Sequence, residues 1–99
     1  MARFDVFPNP EGPGYLLDVQ SDLLDGLNTR VVAPLMPRAH APEPAKRLNP
    51  EFEVEGAAVV MVTQFIAAVP AAILGQPVAR LDTASDTITN ALDMLTQGF

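Results

Sequence analysis

Short alternating runs of apolar and polar residues fill most of the chain, and a helical period appears only at its end. Arg3–Phe7 sets Phe4 and Val6 against Asp5 and Phe7, which predicts an opening strand. Pro8–Gly14 follows with three prolines and two glycines in seven residues, a composition for a tight connection and no regular element. Tyr15–Gln20 alternates again, with Tyr15, Leu17 and Val19 on one face and Leu16, Asp18 and Gln20 on the other. The two runs are expected to form an antiparallel pair. Asp22–Thr29 is too short for a stable helix and is interrupted at Gly26, so it reads as a loop or a single turn. Arg30–Leu35 predicts a third strand. Pro34 cannot donate to a ladder, which places that strand's end at an edge or a bulge.

Pro37–Pro50 carries Pro37, Pro42, Pro44 and Pro50 and is expected to cross the surface, with at most one turn around Ala45–Leu48. Phe52 and Val54 then alternate with Glu51, Glu53 and Glu55, a strand with one wet face, and Glu55-Gly56 reads as a hairpin turn into Ala57–Thr63. Its β-branched content favours strand over helix. Phe65–Leu74 stays apolar but contains Pro70, which predicts a further strand with a bulge near the proline, and Gly75-Gln76-Pro77 turns the chain. The last element is a helix over about 83–97. Ile88, Ala91, Leu92, Leu95 and Phe99 follow helical spacing, Asp82, Thr83 and Ser85 are candidate N-caps, and Gly98 stands where a left-handed residue would end the helix. The pattern predicts a mainly β fold: a small SH3-like barrel or bent antiparallel sheet with one C-terminal helix packed on it.

Length and composition narrow the function classes. Ninety-nine residues suit a single domain spanning 1–99. A chain this short buries a modest core, and oligomerisation is a natural supplement. Apolar residues make up 48% and charged residues 18%, too hydrophobic a mixture for a disordered chain. There is no cysteine, which removes disulfides, thiolate nucleophiles and thiolate metal sites and suits a reducing cytoplasm. The start, MARFDVFPNP, lacks the apolar core of a secretory signal. Ala57–Leu74 falls short of a bilayer span and is broken by Thr63, Gln64 and Pro70, so no membrane role is expected. A net charge of −6 argues against direct binding of nucleic acid, which needs several cationic phosphate contacts. Of six Lys and Arg residues, Arg38, Lys46 and Arg47 fall in one window with His40, a local basic patch.

Catalytic constellations are sparse. His40 sits in a proline-rich loop whose one acidic neighbour is Glu43, and the serines are Ser21 and Ser85, so no nucleophile–base pair suggests itself. Asp18, Asp22 and Asp25 could converge on a metal, yet the glycine-rich ligand loop is absent, and Asp22 and Asp25 fit equally well as loop caps. Gly12-Pro13-Gly14 is a turn and no phosphate cradle. No catalytic residue, metal or cofactor is expected. Surfaces remain, above all the apolar closing run Met94-Leu95-Thr96-Gln97-Gly98-Phe99.

The segment YLLDVQSDLLDGLNTRVVAPL, Tyr15–Leu35, with Val69-Pro70, Gly75, Val78-Ala79, Leu81 and the terminal Gly98-Phe99, resembles the CcdB-type toxins that poison bacterial DNA gyrase. The resemblance implies an SH3-like barrel with a C-terminal helix, no active site, a homodimer and a CcdA-like antitoxin. In that family the closing tripeptide, usually tryptophan-glycine-isoleucine, grips the gyrase A subunit; its positions here are Gln97, Gly98 and Phe99. Gly98 is kept, whereas Gln97 lacks the π-face with which tryptophan stacks on an arginine of gyrase. Leu23, Leu24, Leu92 and Leu95 are expected as apolar dimer or core surface. Pro8, Gly12 and Gly14, with Arg38, Lys46 and Arg47, are expected to meet an acidic antitoxin tail. Two alternatives stay open: a binding-only relative that retains antitoxin but has weakened or lost gyrase poisoning, and an endoribonuclease toxin of the related MazF-type barrel using Arg30, Arg38, His40 and Arg80.

Overall fold

The computed structural model describes residues 1–98. Seven strands, β1 (Asp5–Pro8), β2 (Tyr15–Asp18), β3 (Thr29–Pro37), β4 (Glu51–Val54), β5 (Ala57–Met61), β6 (Ala67–Pro70) and β7 (Ala79–Arg80), precede one helix, α1 (Ser85–Gln97). All pairings are antiparallel, in the order β4-β5-β3-β2-β1-β7, with β6 as an additional partner of β3.

β3 is the spine. One of its edges pairs with β2 from Val32 to Leu35, while the other pairs with β6 over Thr29–Val32 and with β5 over Leu35–Pro37. Pro34 lies inside β3, neither at its end nor in a bulge. Its carbonyl accepts from the Val62 N–H at 2.9 Å, so its nitrogen faces the same side, where the outer partner changes from β6 to β5. No ladder bond needs a donor there, which is why a proline fits a central strand.

β1 starts later than its alternation suggests. Phe4 takes a φ of 75° and breaks the extended run, with its N–H donating to the Asp18 carbonyl and its own carbonyl accepting from Leu81. The β4–β5 turn is the expected two-residue hairpin: Glu55 and Gly56 both have positive φ, 52° and 80°, which matches the twist of the flanking strands. Pro70 makes no bulge. It ends β6 and leads into a 3₁₀ turn at Ala71–Ile73, whose first N–H reaches the Asn28 carbonyl at 2.8 Å. Between Pro37 and Pro50 the expected turn appears at Ala45–Asn49, closed by Asn49 N–H to the Ala45 carbonyl at 2.9 Å, but it is not alone: a 3₁₀ turn at Arg38–His40 precedes it.

Ile88 and Ala91 of α1 enter the main core beside Val6, Leu17, Val19, Ala33, Leu35, Val54, Val59 and Met61. None of Asp82, Thr83 or Ser85 caps the helix through its side chain. A 3₁₀ turn at Asp82–Ala84 runs straight into α1, and backbone carbonyls of Leu81 and Asp82 accept the N–H groups of Ala84 and Ser85. The other end closes as the sequence predicts, with Gly98 left-handed at φ 81° and its N–H on the Met94 carbonyl.

Candidate partner-binding surfaces

The β2–β3 loop is held from beneath by a buried polar network. Asp18 and Arg30 are 0% and 1% exposed; Arg30 Nε donates to Asp18 Oδ2 at 2.8 Å, and Nη2 approaches the same oxygen at 2.6 Å. The second carboxylate oxygen accepts from the Gln20 N–H at 3.0 Å. Gln20 then bridges the loop, its Nε2 donating to the Leu24 carbonyl and its Oε1 accepting from the Val31 N–H. Burial pushes the Asp18 carboxyl above the ordinary aspartate range, against the pull of Arg30 and the Gln20 N–H.

On this footing stands an apolar tip. Ser21 Oγ accepts from the Leu23 N–H and starts a 3₁₀ turn, Asp22–Leu24, which projects Leu23 with 94% of its surface exposed. Leu24 and Leu27 are about half exposed beside it. Asp22 is engaged in accepting from the Arg3 N–H at 2.9 Å. Asp18 and Asp22 therefore serve separate structural bonds, and among the described residues no group of three or more His, Cys, Asp or Glu could hold a metal.

The remaining expected residues fall in two other places. Leu92 packs against the main core, whereas Leu95 and Gln97 lie exposed towards the end of α1; Phe99 lies outside the described residues. Pro8 and Gly12 are exposed, and Gly14, at φ +92°, sits tight against the Leu35 carbonyl and the Pro37 ring. That contact brings the β1–β2 turn beside the end of β3, from which Arg38 continues. Arg38 pairs with Glu51 at 3.2 Å, both side chains exposed, and Lys46 and Arg47 belong to the separate turn before β4. The basic window is thus spread over two turns, the 3₁₀ turn at Arg38–His40 and the turn at Ala45–Asn49.

The four residues that RNA cleavage would draw on are mostly committed. Arg30 is sealed against Asp18, Arg38 meets Glu51, and Arg80 lies 3.8 Å from Asp5 and 3.6 Å from Asp82. His40 is exposed in a 3₁₀ turn at Arg38–His40. Sequence reading passed over Leu27 and Gln20. Leu27 could have been found from its place between Gly26 and Asn28, where an apolar side chain has no strand to bury it.

The family model described as CcdB protein matches residues 3–98. The chain belongs to the CcdB family. This family supplies the toxin of toxin–antitoxin modules. A solved structure described as an endoribonuclease in complex with its cognate antitoxin, from a mycobacterial species, superposes with a TM-score of 0.76 at 14% identity. The match covers 100% of this chain and 98% of that one. At that identity the likeness is one of fold: mainly antiparallel β, a near-closed barrel with one C-terminal helix, common to CcdB and MazF proteins. No helix among the described residues is long and apolar enough to cross a membrane.

Proposed function

We propose that this CcdB-family protein acts by contact on the DNA gyrase A subunit, holding the enzyme on cleaved DNA, and that a cognate antitoxin neutralises it. The observation that carries the reading is the end of α1. Ile88 and Ala91 root the helix in the core, Gly98 caps it in the left-handed conformation, and Gln97 and Gly98 stand exposed. A rigid presentation of this kind lets a short terminal segment bind without ordering a long one. Phe99 would complete the grip. The protein would work as a homodimer in the bacterial cytoplasm, with the antitoxin tail reaching Pro8, Gly12, Gly14, Lys46 and Arg47. The Arg38–Glu51 pair would open or stand aside.

The deciding assay is gyrase cleavage with purified protein, run beside Gln97→Trp. A buried tryptophan anchor is worth about 2–4 kcal/mol at an interface. The variant is therefore expected to trap cleaved DNA at a concentration at least tenfold lower than the wild type. Absence of a cleaved complex with both proteins overturns the gyrase reading. Trapping by the variant alone favours the binding-only relative, to which Gln97 itself points. The endoribonuclease reading has the fold likeness behind it and the paired arginines against it. Cleavage of messenger RNA by the purified protein would restore it.

A further inference from the structure

An acidic residue stands directly before a glycine once in this chain, at Asp25-Gly26 on the tip of the β2–β3 loop, and no asparagine precedes a glycine. The pairing matters chemically. A main-chain nitrogen can attack the side-chain carbonyl carbon of the aspartate before it and close a five-membered imide. A Cβ on the attacking residue crowds that approach, whereas glycine leaves both the nitrogen and the backbone rotation open.

The fold leaves this peptide bond accessible. Asp25 closes the 3₁₀ turn Asp22–Leu24, and both Asp25 and Gly26 are exposed. Among the described residues, the Gly26 N–H donates to no acceptor, and the Asp25 carboxylate meets neither a donor nor a cation. Nothing lies within 4 Å of where a Gly26 Cβ would stand. Asp22, three residues earlier, is the contrast: the Arg3 N–H holds its carboxylate, and branched Leu23 follows it. Asp25 has ψ −17°, so its bond towards Gly26 must rotate before nitrogen and Cγ can meet. Two bonds resist that rotation. Asp25 N–H reaches the Asp22 carbonyl at a long 3.3 Å, and Leu27 N–H reaches the Leu24 carbonyl at 3.1 Å.

We propose that Asp25 is a site of spontaneous isomerisation to isoaspartate, a modification that remodels the leucine tip and leaves the core intact. The carboxylate takes a proton from solvent, the Gly26 nitrogen bonds to Cγ, and the hydroxyl leaves with the amide hydrogen as water. Water then adds at the main-chain carbonyl of Asp25, and the ring opens with Gly26 joined through the former side chain. One water is lost and one regained, with no oxidant or cofactor. The main chain gains a methylene between Leu24 and Leu27, so the bond between those residues is lost and Leu27 is displaced. No residue of the 3₁₀ turn is buried, which confines the change to the surface. The inference is independent of what the protein binds.

The product carries a free α-carboxylate, which an L-isoaspartate O-methyltransferase will methylate and so report. Purified protein kept warm at neutral pH for days, then treated with that enzyme and labelled S-adenosylmethionine, is expected to accept methyl groups in proportion to its age. The label should map to the peptide that contains Asp25. Gly26→Ala, which has room for its methyl, should accept label several-fold more slowly. Asp25→Glu, whose imide would be a six-membered ring, should lose the signal at that peptide. Absence of label at residue 25 in aged wild type overturns the proposal, and so does a Gly26→Ala protein that keeps pace with it. Aged and fresh protein should share one urea midpoint; a lower midpoint after ageing overturns the confinement to the tip.

Discussion

Arg30 is the largest side chain that this fold buries completely, and it has one carboxylate for company. Such a pair contributes little beyond a hydrophobic substitute, yet removing one member strands the other. Arg30→Met takes away the guanidinium that favours ionised Asp18 and leaves the desolvation cost in place. It is expected to cost about 3–5 kcal/mol near neutral pH. The pH dependence follows from the direction of the Asp18 shift. A carboxyl whose folded pKa exceeds its unfolded one contributes fully below the unfolded value and loses that contribution as pH rises through the folded value. The deficit of Arg30→Met should therefore narrow on acidification towards about pH 4, near the ordinary aspartate value. Urea melts of both proteins at the two pH values measure it; a deficit that widens in acid contradicts this account.

Among the elements, the β1–β2 turn is the least forgiving. At Gly14 the backbone is left-handed and a Cβ would run into the Leu35 carbonyl oxygen. Gly14→Ala is expected to lose about 2 kcal/mol or more, with left-handed strain alone near 1–2. The loss should appear as a lower denaturation midpoint at unchanged m-value. Elements of this kind were legible from turn chemistry: the Glu55-Gly56 hairpin, the Ala45–Asn49 turn and the Gly98 cap all lie where glycine, proline and alternation put them. Placement of prolines within the sheet was not. Pro34 looked like a strand end because its lost donor counts only if the neighbouring ladder needs it, and a change of partner there is a tertiary fact. The helix start falls within two residues of the expected one, but its cap does not follow: α1 is entered through a 3₁₀ turn at Asp82–Ala84, and none of the three candidate side chains caps it. In the candidate site, Leu23 and Leu24 were legible as surplus apolar residues, whereas Leu27 was passed over. The Asp18–Gln20–Arg30 footing was not, because acidic and basic residues in a strand read equally well as solvent-facing.

For the molecule as a whole, acidity and self-association work against each other. Screening lengths fall from about 10 Å at 0.1 M salt to a few ångströms at molar salt. With a net charge of −6 on each copy, added sodium chloride should tighten the proposed homodimer by weakening the repulsion of the two bodies. Sedimentation equilibrium between about 0.05 and 0.5 M salt reads this directly, and a dimer that loosens would point to ion pairs across the interface. The closure of the sheet has a consequence of its own. β1, the first strand to leave the ribosome, finds its outer neighbour in β7, with Asp5 opposite Arg80 and Val6 opposite Ala79. The earliest synthesised strand must wait for nearly the last, and α1, whose Ile88 and Ala91 plug the core, arrives later still. A sheet closed through strands so far apart in sequence makes a fold of high contact order, and refolding is expected to be slow for a chain of this size.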